Sequence, residues 1–333
     1  MRHVQIPGTD LTASCLGMGC ASLGSRIPRS RGINALEAAF ERSVTWYDVA
    51  PSYGAGDAEI ILADFLKGKR DKVILCSKVG LAPPRHNGLV RQVYRFGRPV
   101  IGAAQGLRQH FRALKGTRNV RIPLTPDLIR SSIERSLSRL RTDRLDIFAL
   151  HDPDPADLSR HEILMALEGV KASGAARYLA VAGTVDAARQ AAAAGEVFSI
   201  FQLADDPLLR PLPALAAQLQ RPAGFVTHSV LGVGGAMDRF SQRLSGNPDL
   251  LGQLVSQGYG SDLRSVSVNL LMRRAFASNS QGVVLASMFS GNHLRDNAAL
   301  ADLPLDEMAS GLVETILSEG AIDAAHASAE AHS

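Results

Sequence analysis

TPDLIRSSIERSLSRLRTDRLDIFALH, residues 125–151, contains one helix followed by one strand, and most of the chain repeats that order. Thr125, followed by Asp127-Leu128, is an N-capping signal. Leu128, Ile129, Ile133, Leu137 and Leu140 recur at helical spacing, which predicts a helix over Pro126–Leu140. The apolar run Leu145–Leu150 is too short for a second helix and reads as a buried strand ending on His151.

Working outward from there, further strands are expected at Ser14–Met18, Thr45–Tyr47, Lys72–Ser77, Arg177–Val181, Phe198–Phe201, Gly224–Thr227 and Gly282–Ala286. Helical patterns lie between most of them, at Asn34–Val44, Ala58–Leu66, Asp157–Ser173, Val185–Ala194 and Pro213–Leu219. Eight strands separated by helices predict an α/β fold, a closed (β/α)8 TIM barrel. Residues 2–14 read as an N-terminal β-hairpin turning at Pro7-Gly8-Thr9-Asp10. A doubly wound sheet is the weaker alternative, because Gly17-Met18-Gly19 lacks the third glycine of a dinucleotide fingerprint. The 333 residues exceed the barrel's usual length of about 250. The excess is assigned to the hairpin, to a long insertion at 81–122 after the third strand, to a loop near 232–261 and to a C-terminal extension. One barrel domain is expected over 1–318. Glu319–Ser333, rich in Ala, His and Ser, is expected to be a flexible tail.

Apolar residues make up 46% of the chain and charged residues 20%, which excludes global disorder. No run approaches the roughly 18 apolar residues of a membrane span, and Met1–Gly8 has no apolar core of a secretory signal. Cys15, Cys20 and Cys76 form neither a CxxC pair nor an even disulfide set. A cytoplasmic protein without a metal site is expected. The net charge of +4 is unevenly placed. Residues 81–122 carry Arg85, Arg91, Arg95, Arg98, Arg108, Arg112, Lys115, Arg118 and Arg121 with no Asp or Glu, so the remainder has a net −5. One basic segment on an acidic body disfavours nucleic-acid binding, which shows as a basic face across a domain.

In this barrel class the chemistry sits at the C-terminal ends of the strands. Five apolar runs lead into a polar or ionisable residue: Asp48, Lys78, His151, Gln202 and His228. If the strands align, these side chains converge on one mouth.

Trp46-Tyr47-Asp48-Val49-Ala50-Pro51-Ser52-Tyr53-Gly54 resembles the signature of the aldo-keto reductase family. Cys76-Ser77-Lys78-Val79-Gly80 is similar to the family's lysine strand and Leu150-His151 to its histidine; the likeness covers about 13–303. The resemblance implies a catalytic tetrad of Asp48, Tyr53, Lys78 and His151. A phenol with a reference pKa of ~10 is a reluctant acid–base group at neutral pH, and a nearby ammonium makes it a better one. In that scheme Lys78 supplies the charge, Asp48 holds Lys78, His151 orients the carbonyl oxygen and Tyr53 moves the proton.

The implied cofactor is NADP(H), with NAD(H) as the second reading. The implied cofactor-binding set is Gly19, Cys20, Asp48, Gln202, His228, Ser229, Leu231, Ser287, His293 and Asn297. Asn297 matches the asparagine directed at adenine, and Ser229-Val230-Leu231-Gly232 resembles the phosphate loop. Five positions depart from the family pattern. Ser287 and His293 replace the usual Lys and Arg for the 2′-phosphate; Ala182-Gly183 replaces Ser-Asn at the nicotinamide amide; and His228 replaces the stacking tyrosine.

The basic insertion has three open readings: a lid drawing in an anionic substrate, a docking surface for an acidic partner or membrane headgroups, or a solvated loop. The leading function is interconversion of a carbonyl (aldehyde, ketone, sugar or anionic metabolite) and an alcohol by hydride transfer. The alternatives are an aldose dehydrogenase working in the oxidative direction and a catalytically weak, cofactor-binding regulatory subunit.

Overall fold

The computed structural model describes residues 1–83, 119–208, 210–232 and 235–330. The eight basic positions of the insertion from Arg85 to Arg118 lie outside these residues, and only Arg121 of that set is among them.

Two short strands, β1 (His3–Gln5) and β2 (Thr12–Ser14), pair antiparallel with His3 opposite Ser14. The expected hairpin is therefore present, and Thr9 N–H closes its turn on Ile6 C=O at 3.2 Å. Then follow β3 (Leu16–Gly19), α1 (Arg29–Glu41), β4 (Trp46–Asp48), α2 (Ala58–Phe65) and β5 (Ile74–Val79). A two-stranded ribbon, β6 (Leu81–Ala82) with β7 (Val120–Arg121), flanks the insertion. Next come α3 (Pro126–Leu140), β8 (Leu145–His151), α4 (His161–Ala172), β9 (Ala176–Gly183), α5 (Val185–Ala193) and β10 (Ile200–Ala204). The last part comprises α6 (Pro211–Gln218), β11 (Gly224–His228), α7 (Ala236–Ser245), α8 (Pro248–Ser256), α9 (Leu263–Ser278), β12 (Val283–Ala286), α10 (Gly291–Asp302) and α11 (Glu307–Glu330). Eight strands form one closed parallel barrel in the order β10-β11-β12-β3-β4-β5-β8-β9. Among the described residues no helix is long and apolar enough to cross a membrane.

Several boundaries differ from the sequence reading. The lysine strand runs to Val79 rather than Ser77, so Lys78 lies inside it. Gln202 sits in the middle of β10, not beyond its end. Pairing with neighbouring strands, which apolar content does not reveal, sets these limits. Residues 232–261, expected as a loop, hold α7 and α8. The long helix α9 was not anticipated because its inward face includes the polar residues Ser267 and Arg274. A capping box opens it: Asp262 Oδ1 accepts from Ser265 N–H at 2.8 Å, and Ser265 Oγ accepts from Asp262 N–H at 3.0 Å. The stretch from Glu319, read as tail, continues α11 as far as Glu330.

Internal contacts divide the chain into two compact units. The first comprises Met1–Leu16, Gln202–Ala286 and Arg295–Ser333. Its core is Phe240, Leu244, Leu254, Val266, Leu270, Leu271, Val313 and Ile316, drawn from α7, α8, α9 and α11. Arg274, 2% exposed, makes a two-pronged pair with Asp205, 1% exposed, at 2.7 and 3.3 Å; Ser278 Oγ donates to the same carboxylate at 3.1 Å. The second unit comprises Gly17–Phe201 and Ser287–Leu294. There the outward-facing Tyr47 ring lies 4.8 Å from Phe65, and Phe65 lies 6.1 Å from Phe40, which seats α1 and α2 on the barrel strands.

Replacing one member of the buried Arg274–Asp205 pair leaves the other charge in the core. Asp205→Ala is expected to destabilise the protein by about 3–5 kcal/mol in denaturant unfolding, with Asp205→Leu/Arg274→Met recovering most of the loss.

Candidate active site

Side chains alternate across a strand, and β5 turns that rule into chemistry. Ser77 faces outward to α2, whereas Lys78 faces inward. Its Nζ donates to Asp48 Oδ1 at 2.5 Å and to Val49 C=O at 3.2 Å. The ion pair is almost wholly dry, with side chains 1% and 4% exposed. Asp48 is the last residue of β4 and stands in register with Cys76 of β5 and with Gly19 of β3. Its second oxygen, Oδ2, is buried with no hydrogen-bond partner among the described residues.

Tyr53 opens a short 3₁₀ turn, Tyr53–Gly56, just after β4. Gly54 there has φ +61°, and a Cβ on it would stand 2.2 Å from Leu23 C=O, so only glycine fits. The turn places the Tyr53 ring with its centroid 5.2 Å from Lys78 Nζ and 5.7 Å from the His151 ring, which meets it edge-on at 86°. Burial pushes the phenol up to about 12; the Lys78 ammonium and its hydrogen bond pull it down, and Asp48 and Cys76 push it up. For Lys78, burial favours the neutral amine, but Asp48, with Tyr53 and Cys76 behind it, outweighs that and raises its affinity for the proton.

His151 is the last residue of β8 and is partly exposed. Beside it the chain passes very close: Gly80 has φ +125°, and a Cβ there would approach His151 C=O to 2.7 Å. All four residues expected as a tetrad are thus brought together, within the second compact unit.

The residues expected at a cofactor are distributed over both units. In the second, Gly19 ends β3, and Cys20 is buried and donates its N–H to Asp48 C=O at 2.9 Å. Ser287 and His293 are exposed, His293 in the first turn of α10. In the first unit, Gln202 is buried in β10, His228 ends β11 with Nδ1 2.9 Å from Ser229 Oγ, and Asn297 is half-buried in α10. Ser229 adopts φ +59°, and its C=O accepts from Gly232 N–H at 2.7 Å, forming a tight turn that leaves Leu231 exposed. In the second unit, where Ala182-Gly183 breaks the family pattern, Asp152 and Pro153 pack to 3.4 Å from the site of a Cβ on Gly183.

Two residues at this site were not singled out from the sequence. Gly80 is one. Glu59 is the other, a wholly buried acid on α2 that accepts from Ser77 Oγ at 2.8 Å. A lone glutamate in the apolar stretch Ala58–Phe65 was the available signal.

Gly80→Ala is expected to lower stability by about 1–3 kcal/mol, because the methyl group must displace the backbone of His151. A thermal unfolding scan beside wild type measures it; an unchanged Tm contradicts the close approach.

The sequence profile of the Aldo/keto reductase family matches residues 15–317. An aldo-keto reductase of Bacillus subtilis, YhdN, is 29% identical over 161 residues, 46% of this chain; the match spans only 39% of that relative's length. A D-threo-aldose 1-dehydrogenase from a Pseudomonas species is 29% identical over 238 residues, 67% of this chain and 68% of that protein. Among solved structures, an aldo/keto reductase from Klebsiella pneumoniae in complex with NADP and acetate superimposes with a TM-score of 0.65 at 20% identity, covering 95% of each chain. The fold, the profile match over most of its length and these relatives lead to one conclusion: the chain belongs to the aldo/keto reductase family.

Proposed function

We propose that the protein is a nicotinamide-dependent oxidoreductase that interconverts a small carbonyl compound and its alcohol, with Tyr53 as the acid–base residue. The observation that carries this reading is the dry Lys78–Asp48 pair set against the Tyr53 ring. A buried cation beside a phenol serves proton transfer at that phenol.

The residues present fit the cofactor. Asp48 Oδ1 is taken by Lys78, while Oδ2 is buried and lacks a donor among the described residues, a need that a sugar hydroxyl meets. In the second unit Asp48, Gly19 and Cys20 would hold the ribose side; in the first, the family resemblance assigns the Ser229–Gly232 turn to the phosphates and Gln202 and His228 to the nicotinamide. NADP(H) is the first assignment, in line with the Klebsiella complex; NAD(H) is the second, because Ser287 and His293 offer no fixed positive charge to a 2′-phosphate. When bound, the nicotinamide supplies or accepts the hydride. His151 donates a hydrogen bond that orients the carbonyl oxygen near the phenol. Tyr53 then gives its proton to that oxygen in reduction, or takes it from the alcohol in oxidation. Lys78 stabilises the phenolate left behind, and Asp48 keeps Lys78 charged and in place. The oxidative direction on a sugar is a second reading, favoured by the Pseudomonas relative's being a D-threo-aldose 1-dehydrogenase.

Following nicotinamide absorbance with both cofactors, in both directions, against aldehydes, ketones and sugars tests the assignment. Turnover that disappears in Tyr53→Phe, with cofactor affinity changed by less than about twofold, is expected, since only the proton donor is lost. Cofactor binding with no turnover on any substrate would point instead to a regulatory subunit. The pH profile has a definite sign. With the phenol at about 12, reduction should hold steady through neutral pH and fall as that value is approached, whereas oxidation should climb with pH. Lys78→Met makes the phenolate harder to form and should depress both directions, since Tyr53 ends as phenolate in reduction and starts from it in oxidation.

A further inference from the structure

We infer that Glu59 is a positioning residue that sets the separation between Tyr53 and Lys78, an inference resting on the reading of Tyr53 as proton donor. Glu59 is 0% exposed, and both of its carboxylate oxygens are engaged. Oε1 accepts from Ser77 Oγ at 2.8 Å, and Oε2 faces Arg139 Nη1 of α3 at 3.4 Å. One side chain therefore clasps α2, β5 and α3 within the second compact unit.

Its two ends of influence are the two partners of the site. Ser77 is the residue before Lys78, fixed outward so that Lys78 points inward. On the other side, the chain returns from Glu59 to Tyr53 in six residues. That return is stiff: Gly54 and Ala55 are left-handed at φ +61° and +58°, and Gly54 is seated against Leu23 C=O. A shift of α2 relative to β5 is therefore passed on to the distance between phenol and ammonium.

Packing alone does not account for an acid at this position. A buried carboxylate is costly to desolvate, and an apolar side chain of similar volume would often fill such a space with equal or better stability. Among the described residues, the charged and titratable groups facing Tyr53 are Lys78 and Cys76 from β5, Asp48 from β4 and His151 from β8. Glu59 is not among them. Its effect on the phenol thus runs through geometry, which predicts that Glu59→Gln, still able to accept from Ser77, retains most of the function.

The test compares wild type, Ser77→Ala, Glu59→Gln and Glu59→Ala as full-length chains. Read out are Tm, kcat and KM separately, and the ring-carbon NMR resonance of Tyr53, assigned by its loss in Tyr53→Phe. In Ser77→Ala and Glu59→Ala, kcat should fall about tenfold with KM changed by less than about twofold, and the Tyr53 resonance should move; Glu59→Gln should stay near wild type. A lowered Tm with kcat and the Tyr53 resonance unchanged overturns the inference and leaves Glu59 a packing residue. If the wild-type protein turns over no substrate, the functional reading fails, yet the resonance still decides: movement in Ser77→Ala supports positioning, and its absence refutes it.

Discussion

A lysine ammonium 1% exposed inside a barrel is the constraint on which the rest of this structure turns. Removed from water by itself, it would give up its proton, since burial favours the neutral amine. Asp48, at 2.5 Å, prevents that. The pair adds little to stability once the desolvation of both ions is counted, and apolar residues would often pack the same volume as well. What the pair does provide is a fixed positive charge in a medium of low polarisability, where a charge acts on its neighbours far more strongly than in water. The neighbour within reach is the Tyr53 phenol.

Holding that charge in place is a matter of strand parity and close backbone passage. Because β5 alternates, the residue that faces the site has an immediate neighbour facing the helices. Lys78 and Ser77 divide the work in this way, one toward Asp48 and the other toward Glu59. At the end of the same strand Gly80 lets the backbone of His151 approach, and in the turn after β4 Gly54 lets the chain bend under Leu23. Glycines at these two places do for the backbone what the ion pair does for the side chains: they permit contacts that any Cβ would forbid.

Much of this was legible in the sequence because the barrel strands are apolar runs that stop at ionisable residues. Asp48, His151 and His228 do end their strands. The sequence was less informative where polarity and burial part company. Ser267 and Arg274 are buried in α9, so its inward face does not read as apolar; Arg274 is stable there only because Asp205, 69 residues earlier, meets it. Glu59 was hidden in the opposite sense, as a charge inside a helix that counts as apolar. Lys78 and Gln202 fell inside strands rather than beyond them, since a ladder ends where its partner strand ends.

The groups around the ion pair also narrow the kind of chemistry it supports. Cys20 and Cys76 both border Asp48 on adjoining strands, and thiols are the usual candidates for nucleophilic attack. Burial raises both far above their ordinary range: Asp48 adds to the rise at each, and Lys78 opposes it only in part. Both stay protonated at neutral pH and have no access to water, so neither becomes a thiolate nucleophile. The field of Lys78 is therefore expressed at the partly exposed phenol, with the His151 ring edge-on beside it. A phenol held this way is suited to passing a proton to an oxygen atom at the strand ends.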